Sequence, residues 1–305
     1  MSGISDGRRY SLRLVAGLLL VVALVAVSGC SSLTRWYFHP QTLWLQTPDR
    51  FGVAYEDVWL TSADGTQLHA WHLIPPALME PNLGEQSAPA PMILYLHGNA
   101  ENVSTHSRSI YWLVEAGYRV LALDYRGFGA SQGVAELPGV LDDVEAGAAW
   151  LREQWPNAEL TVLGQSIGSA LAVNFVANKA GQYQVERLVL DAPFTGFRSV
   201  ARDVLMQAPI GFLLWPFVGL VPSDWDPEDK APEIRIPVLV MHSQQDEIIP
   251  VEQGRALFAA LSSGQRCWMN SIGRHIASFG YDSIRAQTLM FLQTSRCPPD
   301  PSDED

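Results

Sequence analysis

The residues best placed to do chemistry lie in Gly164-Gln165-Ser166-Ile167-Gly168. The strand-like run Ala158–Leu163 leads straight into them, and the residues after them suit a helix. A serine between two glycines at a strand-to-helix turn has a physical meaning. The turn must be sharp enough to hold Ser166 in a strained conformation, and Gly164 and Gly168 lack the Cβ that would strike the crossing backbone. The helix start then points free N–H groups at the reaction centre. As a bare string the pattern fits any glycine-rich loop; its place between a strand and a helix separates it from one.

A serine hydroxyl attacks poorly unless a base takes its proton, and the base needs an acid to orient it. Of the seven histidines, only His242 and His275 follow Ser166. His242 ends the apolar run Val238–Met241 upstream of Asp246, so it cannot complete the order Ser, Asp, His. His275 follows the strand-like Arg266–Met269 and precedes an amphipathic stretch from about Tyr281, where a loop can carry an imidazole back over a sheet. Asp246, among polar turn-forming residues, is the candidate acid; Asp191, after the preceding strand, is its rival. An oxyanion needs backbone N–H donors. One comes from Ile167, directly after the nucleophile, and the other from Asn99 in the turn His97-Gly98-Asn99-Ala100. Losing one such donor costs about 2.7–4 kcal/mol of transition-state stabilisation. His97 reads as structural.

Other chemistries fit poorly. His69 and His72 are three apart on a strand-like run, so they point to opposite faces and make no metal pair. Gly127, Gly129 and Gly133 have the wrong spacing for a dinucleotide, and there is no phosphate-binding lysine loop. No metal or cofactor is implied. A net charge of −12 argues against nucleic acid, whose backbone attracts basic proteins. With 48% hydrophobic and 17% charged residues, the chain of 305 can bury a large core.

The positioning elements follow from hydrophobic pattern. Met92–Leu96, Val120–Leu123, Leu160–Leu163, Leu188–Leu190 and Val238–Met241 are short apolar runs, separated by helical periodicity at Leu141–Trp155 and Ser169–Asn178. Buried strands alternating with helices give a parallel sheet covered on both faces. Glu56–Thr61 and Gln67–Ile74 flank a turn signal and form an antiparallel hairpin at its front. Residues 75–91 carry five prolines and read as an exposed loop. The aromatic-rich stretch 192–236 is too apolar for a solvated loop and is expected to be a small helical cap.

Arg8, Arg9 and Arg13 precede a small-or-apolar run, Leu14–Val27, too short to span a bilayer and right for a signal peptide. It ends in Val27-Ser28-Gly29-Cys30, which resembles the cleavage box of bacterial lipoproteins. That resemblance implies removal of residues 1–29, acylation of Cys30, and a place in the cell envelope, on the periplasmic face of the outer membrane if the host has two. Residues 30–54 then read as a tether with one or two short helical turns, 55–296 as the folded domain and 297–305 as an acidic tail. Cys267 and Cys297 are either a disulfide, as an oxidising compartment allows, or two unpaired thiols.

The Ser166 turn, the His97-Gly98-Asn99-Ala100 loop, Asp124-Tyr125-Arg126-Gly127-Phe128-Gly129 and the Asp246 and His275 positions together resemble the α/β-hydrolase superfamily. Within it they are most similar to the serine-aminopeptidase-like branch that includes bud-emergence-suppressor proteins and some depalmitoylases. The resemblance covers roughly residues 55–293 and implies a mostly parallel central sheet of about eight strands flanked by helices. It implies structural roles for Asp124 and Arg126. Relatives often have Gly where Glu101 stands, so this chain carries a carboxylate near the mouth. The expectation is a membrane-tethered serine hydrolase acting on a small or lipid-derived acyl ester or thioester. A serine aminopeptidase, with Glu101 or Glu247 anchoring the substrate ammonium, and a silent binding lipoprotein are the alternatives.

Overall fold

The computed structural model describes residues 34–79, 90–207 and 215–299. Residues 1–33, which hold the expected signal peptide and Cys30, residues 80–89 of the proline-rich loop, residues 208–214 of the insert and residues 300–305 lie outside the described residues.

In chain order the strands are β1 (His39–Pro40), β2 (Ala54–Thr61), β3 (Gln67–Ile74), β4 (Met92–Leu96), β5 (Ala100–Glu101), β6 (Arg119–Asp124), β7 (Leu160–Gln165), β8 (Val185–Asp191), β9 (Val238–Ser243) and β10 (Arg266–Ser271). Eight form one sheet in the order β10-β9-β8-β7-β4-β6-β3-β2, while β1 and β5 make a separate pair. Only β3 runs against the others, pairing antiparallel with both β2 and β6. The helices are α1 (Val103–His106), α2 (Tyr111–Glu115), α3 (Gly139–Gln154), α4 (Ile167–Lys179), α5 (Phe197–Gln207), α6 (Pro227–Lys230), α7 (Val251–Ala260) and α8 (Asp282–Thr294).

The continuous apolar runs are strands because both sheet faces are covered. Successive residues go to opposite layers. Leu94, Leu121, Val162, Leu188 and Val240 meet the apolar faces of α3 and α4, among them Val144, Leu151, Ala170 and Val173. Ile93, Val120, Leu163, Val189 and Leu239 meet Leu113 of α2 and Phe291 of α8. Each such side chain contributes about 1.5–3 kcal/mol by leaving water. In α3 the residue facing β4 is Gly147; a Cβ there would stand 3.1 Å from Leu94 Cδ1, so glycine sets how near the helix lies.

Residues 34–53 depart from the expected tether. They do contain two short 3-10 turns, Arg35–Tyr37 and Pro48–Phe51, but the segment is strapped to the domain. Thr34 is buried and its hydroxyl accepts the Leu137 N–H at 2.9 Å. Phe38 enters the core. The His39 N–H donates to Asn99 O, the Gly129 N–H donates to Gln41 O, and Asn102 Nδ2 donates to the carbonyls of Gln41 and Leu43. Most of these bonds use backbone atoms, which leave no signature in side-chain pattern.

The insert between β8 and β9 is helical, as its composition suggests: α5, a 3-10 turn at Trp215–Leu220, α6 and a turn at Ala231–Glu233. Phe194 and Phe197 sink into the main core, whereas Trp215 stays exposed. At the far edge the sulfurs of Cys267 and Cys297 are bonded, with their Cα atoms 5.1 Å apart. The bridge ties the segment after α8 to β10. Among the described residues no helix is long and apolar enough to cross a membrane.

Candidate active site

Ser166 sits between β7 and α4 with φ 55 and ψ −119, the strained backbone of a sharp turn. Both glycines are sterically required. A Cβ at Gly164 would lie 2.4 Å from Gly168 O, and one at Gly168 would lie 2.1 Å from Leu96 O at the end of β4. The turn is held from outside: the Ser166 N–H donates to Asp191 O at 2.9 Å, and Ser169 Oγ donates to Gly164 O at 2.7 Å.

The three residues singled out by chain order meet. Ser166 Oγ is 2.9 Å from His275 Nε2, and His275 Nδ1 is 2.7 Å from Asp246 Oδ2. An ionised carboxylate only accepts, so the imidazole proton resides on Nδ1 and Nε2 is free to accept from the serine hydroxyl. Asp246 is almost fully buried, and its other oxygen accepts the N–H groups of Ile248 and Ile249, each at 2.9 Å. Burial alone raises its pKa; hydrogen bonds from His242, His275 and Ile249 outweigh that and hold the carboxyl below the ordinary range. His275 rides on a loop braced by Gly273, whose φ of 94 suits glycine and whose carbonyl accepts from Ser243 Oγ.

Asp191 does not face the imidazole as an acid would. Its carboxylate accepts Ser278 Oγ at 2.6 Å and Gln165 Nε2 at 2.8 Å. Complete burial raises its pKa against the pull of those donors. Gln165 in turn accepts from the Tyr95 hydroxyl, and its Nε2 lies 3.5 Å from Ile276 O. This bracket couples the serine turn to the histidine loop, and the spacing of these residues in the sequence does not reveal it. In the sequence the one hint of it is Gln165, an amide at the end of a mostly apolar strand.

Ile167 opens α4, where the first N–H groups have no intrahelical partner. The Asn99 N–H has no acceptor among the described residues, while the Asn99 carbonyl is taken by the strap. Beneath this loop the His97 and His106 rings stack with centroids 5.3 Å apart. Buried Asp124 accepts the Val103 N–H and lies 3.5 Å from His97 Nε2. Arg126 forks onto Asp143 at 2.7–3.1 Å. Both bond to neighbouring loops and helices, and neither bonds to Ser166, His275 or Asp246. Glu101 adopts φ 61, a region glycine enters without strain. Glu247 stands 3.6 Å from Arg274. Among the described residues no three His, Cys, Asp or Glu side chains converge to hold a metal ion.

A mostly parallel sheet with a serine turn at the carboxyl end of a central strand defines an α/β-hydrolase. The comparisons agree. A family model described as serine aminopeptidase, S33, matches residues 87–224. The alpha/beta hydrolase domain-containing protein WAV2 of Arabidopsis thaliana is 32% identical over 264 residues, covering 80% of this chain and 78% of its own. The lysophosphatidylserine lipase ABHD12 of Danio rerio is 25% identical over 237 residues, covering 72% of this chain and 62% of its own. The Pyrococcus furiosus esterase Pf2001 shares the fold with a TM-score of 0.68 at 19% identity, over 84% of this chain and 98% of the esterase. The chain belongs to the α/β-hydrolase family.

Proposed function

We propose that this chain is a membrane-tethered serine hydrolase that cleaves carboxylic esters or thioesters through an acyl-enzyme. The observation that carries the reading is the continuous relay from Ser166 Oγ through His275 to Asp246, at 2.9 and 2.7 Å. In this reading Ser166 Oγ attacks the acyl carbon as its proton passes to His275 Nε2. Asp246 keeps the Nδ1 proton in place and supports the imidazolium. The N–H groups of Ile167 and Asn99 receive the charge that gathers on the carbonyl oxygen. The imidazolium gives its proton to the leaving oxygen or sulfur, and water then releases the acid by the same steps in reverse. The anchor is the acylated Cys30, which keeps the domain near lipid-derived substrates.

The name of the lipase ABHD12 supports ester chemistry on a lipid. A peptidase reading needs a free acid to bind a substrate ammonium. The nominated acids suit that poorly, since Glu247 faces Arg274 and Glu101 belongs to the strand pair with the strap. The test is a series of p-nitrophenyl esters of increasing acyl length beside aminoacyl-nitroanilides. Each methylene that fits an apolar pocket adds about 0.8 kcal/mol, or three- to fourfold in kcat/KM, until the chain outgrows it. A flat ester series, or faster cleavage of the amides, sinks the esterase reading. Fluorophosphonate labelling of wild type and Ser166→Ala tests the nucleophile separately.

A further inference from the structure

Among the large apolar side chains left in solvent, two groups lie on segments that touch each other. Trp36, Leu43 and Leu45 on the strap are 80%, 70% and 57% exposed, and Met206, Trp215 and Leu220 of the insert are also open. The strap lies on the loops that follow β4 and β6, through His39 N–H to Asn99 O and Gly129 N–H to Gln41 O. Those loops are at the carboxyl end of the parallel strands, where Ser166 also emerges. The insert leaves the sheet at the same end, after β8, and touches the strap: the Tyr37 hydroxyl donates to Phe197 O, and the two rings meet edge to face. An apolar surface of this kind, with an aromatic residue at its edge, is what a bilayer interface accepts.

Chain length says what covers it. Only Ser31, Ser32 and Leu33 separate Cys30 from Thr34, which is buried and bonded to Leu137. Four Cα steps reach at most about 14 Å. A lipid on Cys30 therefore enters the bilayer close to Thr34 and Trp36, with no slack for the domain to swing away. We infer that the strap, with Met206, Trp215 and Leu220 of the adjoining insert, forms a bilayer-docking surface, which seats the mouth of the Ser166 site on the membrane that carries the Cys30 lipid. This rests on the anchor and ester readings above. Without residues 1–29, which carry three Arg and one Asp, the net charge is −14, so overall charge gives no draw to anionic lipid. Docking is apolar, works on phosphatidylcholine and is insensitive to salt.

The experiment uses the exported, processed chain reconstituted in phosphatidylcholine vesicles, with two readouts. The first is quenching of tryptophan fluorescence by phosphatidylcholine brominated in its acyl chains, compared between wild type and Trp36→Phe. Docking predicts a quenchable fraction that Trp36→Phe reduces. The second is the rate on a bilayer-resident monoacylglycerol against the rate on p-nitrophenyl butyrate in water. Trp36→Ser/Leu43→Ser/Leu45→Ser is expected to lower the first rate at least fivefold and leave the second unchanged. Leu78→Ser/Met79→Ser, in the segment after antiparallel β3 at the opposite end of the sheet, changes neither. Equal quenching in Trp36→Phe, a bilayer rate within twofold of wild type, or an equal effect of the opposite-end variant overturns the inference. So does a loss of dimer in the strap variant without quenching in wild type, since the occupant is then a second copy. Intact mass reports acylation of Cys30 and the butyrate rate reports ester hydrolysis, so failure of either underlying reading is seen apart from failure to dock.

Discussion

His242 Nε2 lies 3.4 Å from Asp246 Oδ2, the same oxygen that His275 engages. That nitrogen also faces Ile249 O at 2.9 Å, and a carbonyl only accepts, so Nε2 carries the proton. The other nitrogen of His242 is buried against Gly254, where a Cβ would come within 2.2 Å of it. His242 is thus a clamp behind the acid, with its Nε2–H between Ile249 O and Asp246 Oδ2. His242→Phe is expected to lower kcat ten- to a hundredfold with KM little changed, while His242→Gln, which keeps a donor, recovers most of the loss. Equal losses in kcat and thermal stability for both variants would reduce His242 to a packing residue.

Ser166→Ala and His275→Ala should each lower turnover by about 10⁴–10⁶-fold, because the relay acts as a unit. The double variant should be no worse than either single one. Steady-state hydrolysis of a p-nitrophenyl ester, with thermal melting to monitor the fold, checks both statements.

The two aspartates should behave differently. Asp246→Asn puts an amide donor opposite His275 Nδ1, forces the wrong tautomer and lowers kcat by about 10⁴-fold in a folded protein. Asp191→Asn can still accept from Gln165 and offer its amide to Ser278, so kcat should change less than tenfold. The reverse ranking of kcat values would transfer the acid role to Asp191.

Acid stability should depend on His106. Burial, followed by the neighbouring His97, lowers its pKa from the usual 6.5 to about 4, although its ring donates to Ala100 O. Between these values the unfolded chain binds the proton and the folded chain does not. Stability therefore falls as pH drops from about 6.5 to about 4, by up to about 1.4 kcal/mol per unit, and this contribution is flat below. Urea midpoints measured from pH 7.5 to 4 should show the slope in wild type and a shallower one in His106→Gln.

The bridge between Cys267 and Cys297 closes a separation of 30 residues. By the loop-entropy account that is worth about 3–4 kcal/mol. Cys297→Ser should lower the unfolding free energy by that order with little effect on kcat, since the bond lies at the β10 edge of the sheet. Denaturant titration with and without reductant reads it directly.

Much of the framework follows from short-range spacing. Runs such as Met92–Leu96 and Leu160–Leu163 are nearly continuously apolar because strands covered on both faces have no polar side, and that is visible without neighbours. Gly164 and Gly168 are legible as a turn from their spacing around Ser166, although the contact that requires Gly168 comes from Leu96 O of β4. The order Ser166, Asp246, His275 follows from which loops leave the carboxyl ends of strands.

Other features depend on residues far apart in the chain. Asp191 and Asp246 both follow buried strands, and spacing alone does not separate them. Packing does: β8 lies beside β7, which gives Asp191 to Gln165 and Ser278, while the loop after β9 turns Asp246 toward His275. The strap reads as a tether because its hold on Asn99, Gly129 and Asn102 relies chiefly on backbone groups that every residue possesses. His242 looked excluded by chain order, and only the fold of its loop brings it behind the acid. A side-chain pattern records which face of an element is buried. Which loops then meet depends on the spatial order of the strands, and long-range packing alone establishes that order.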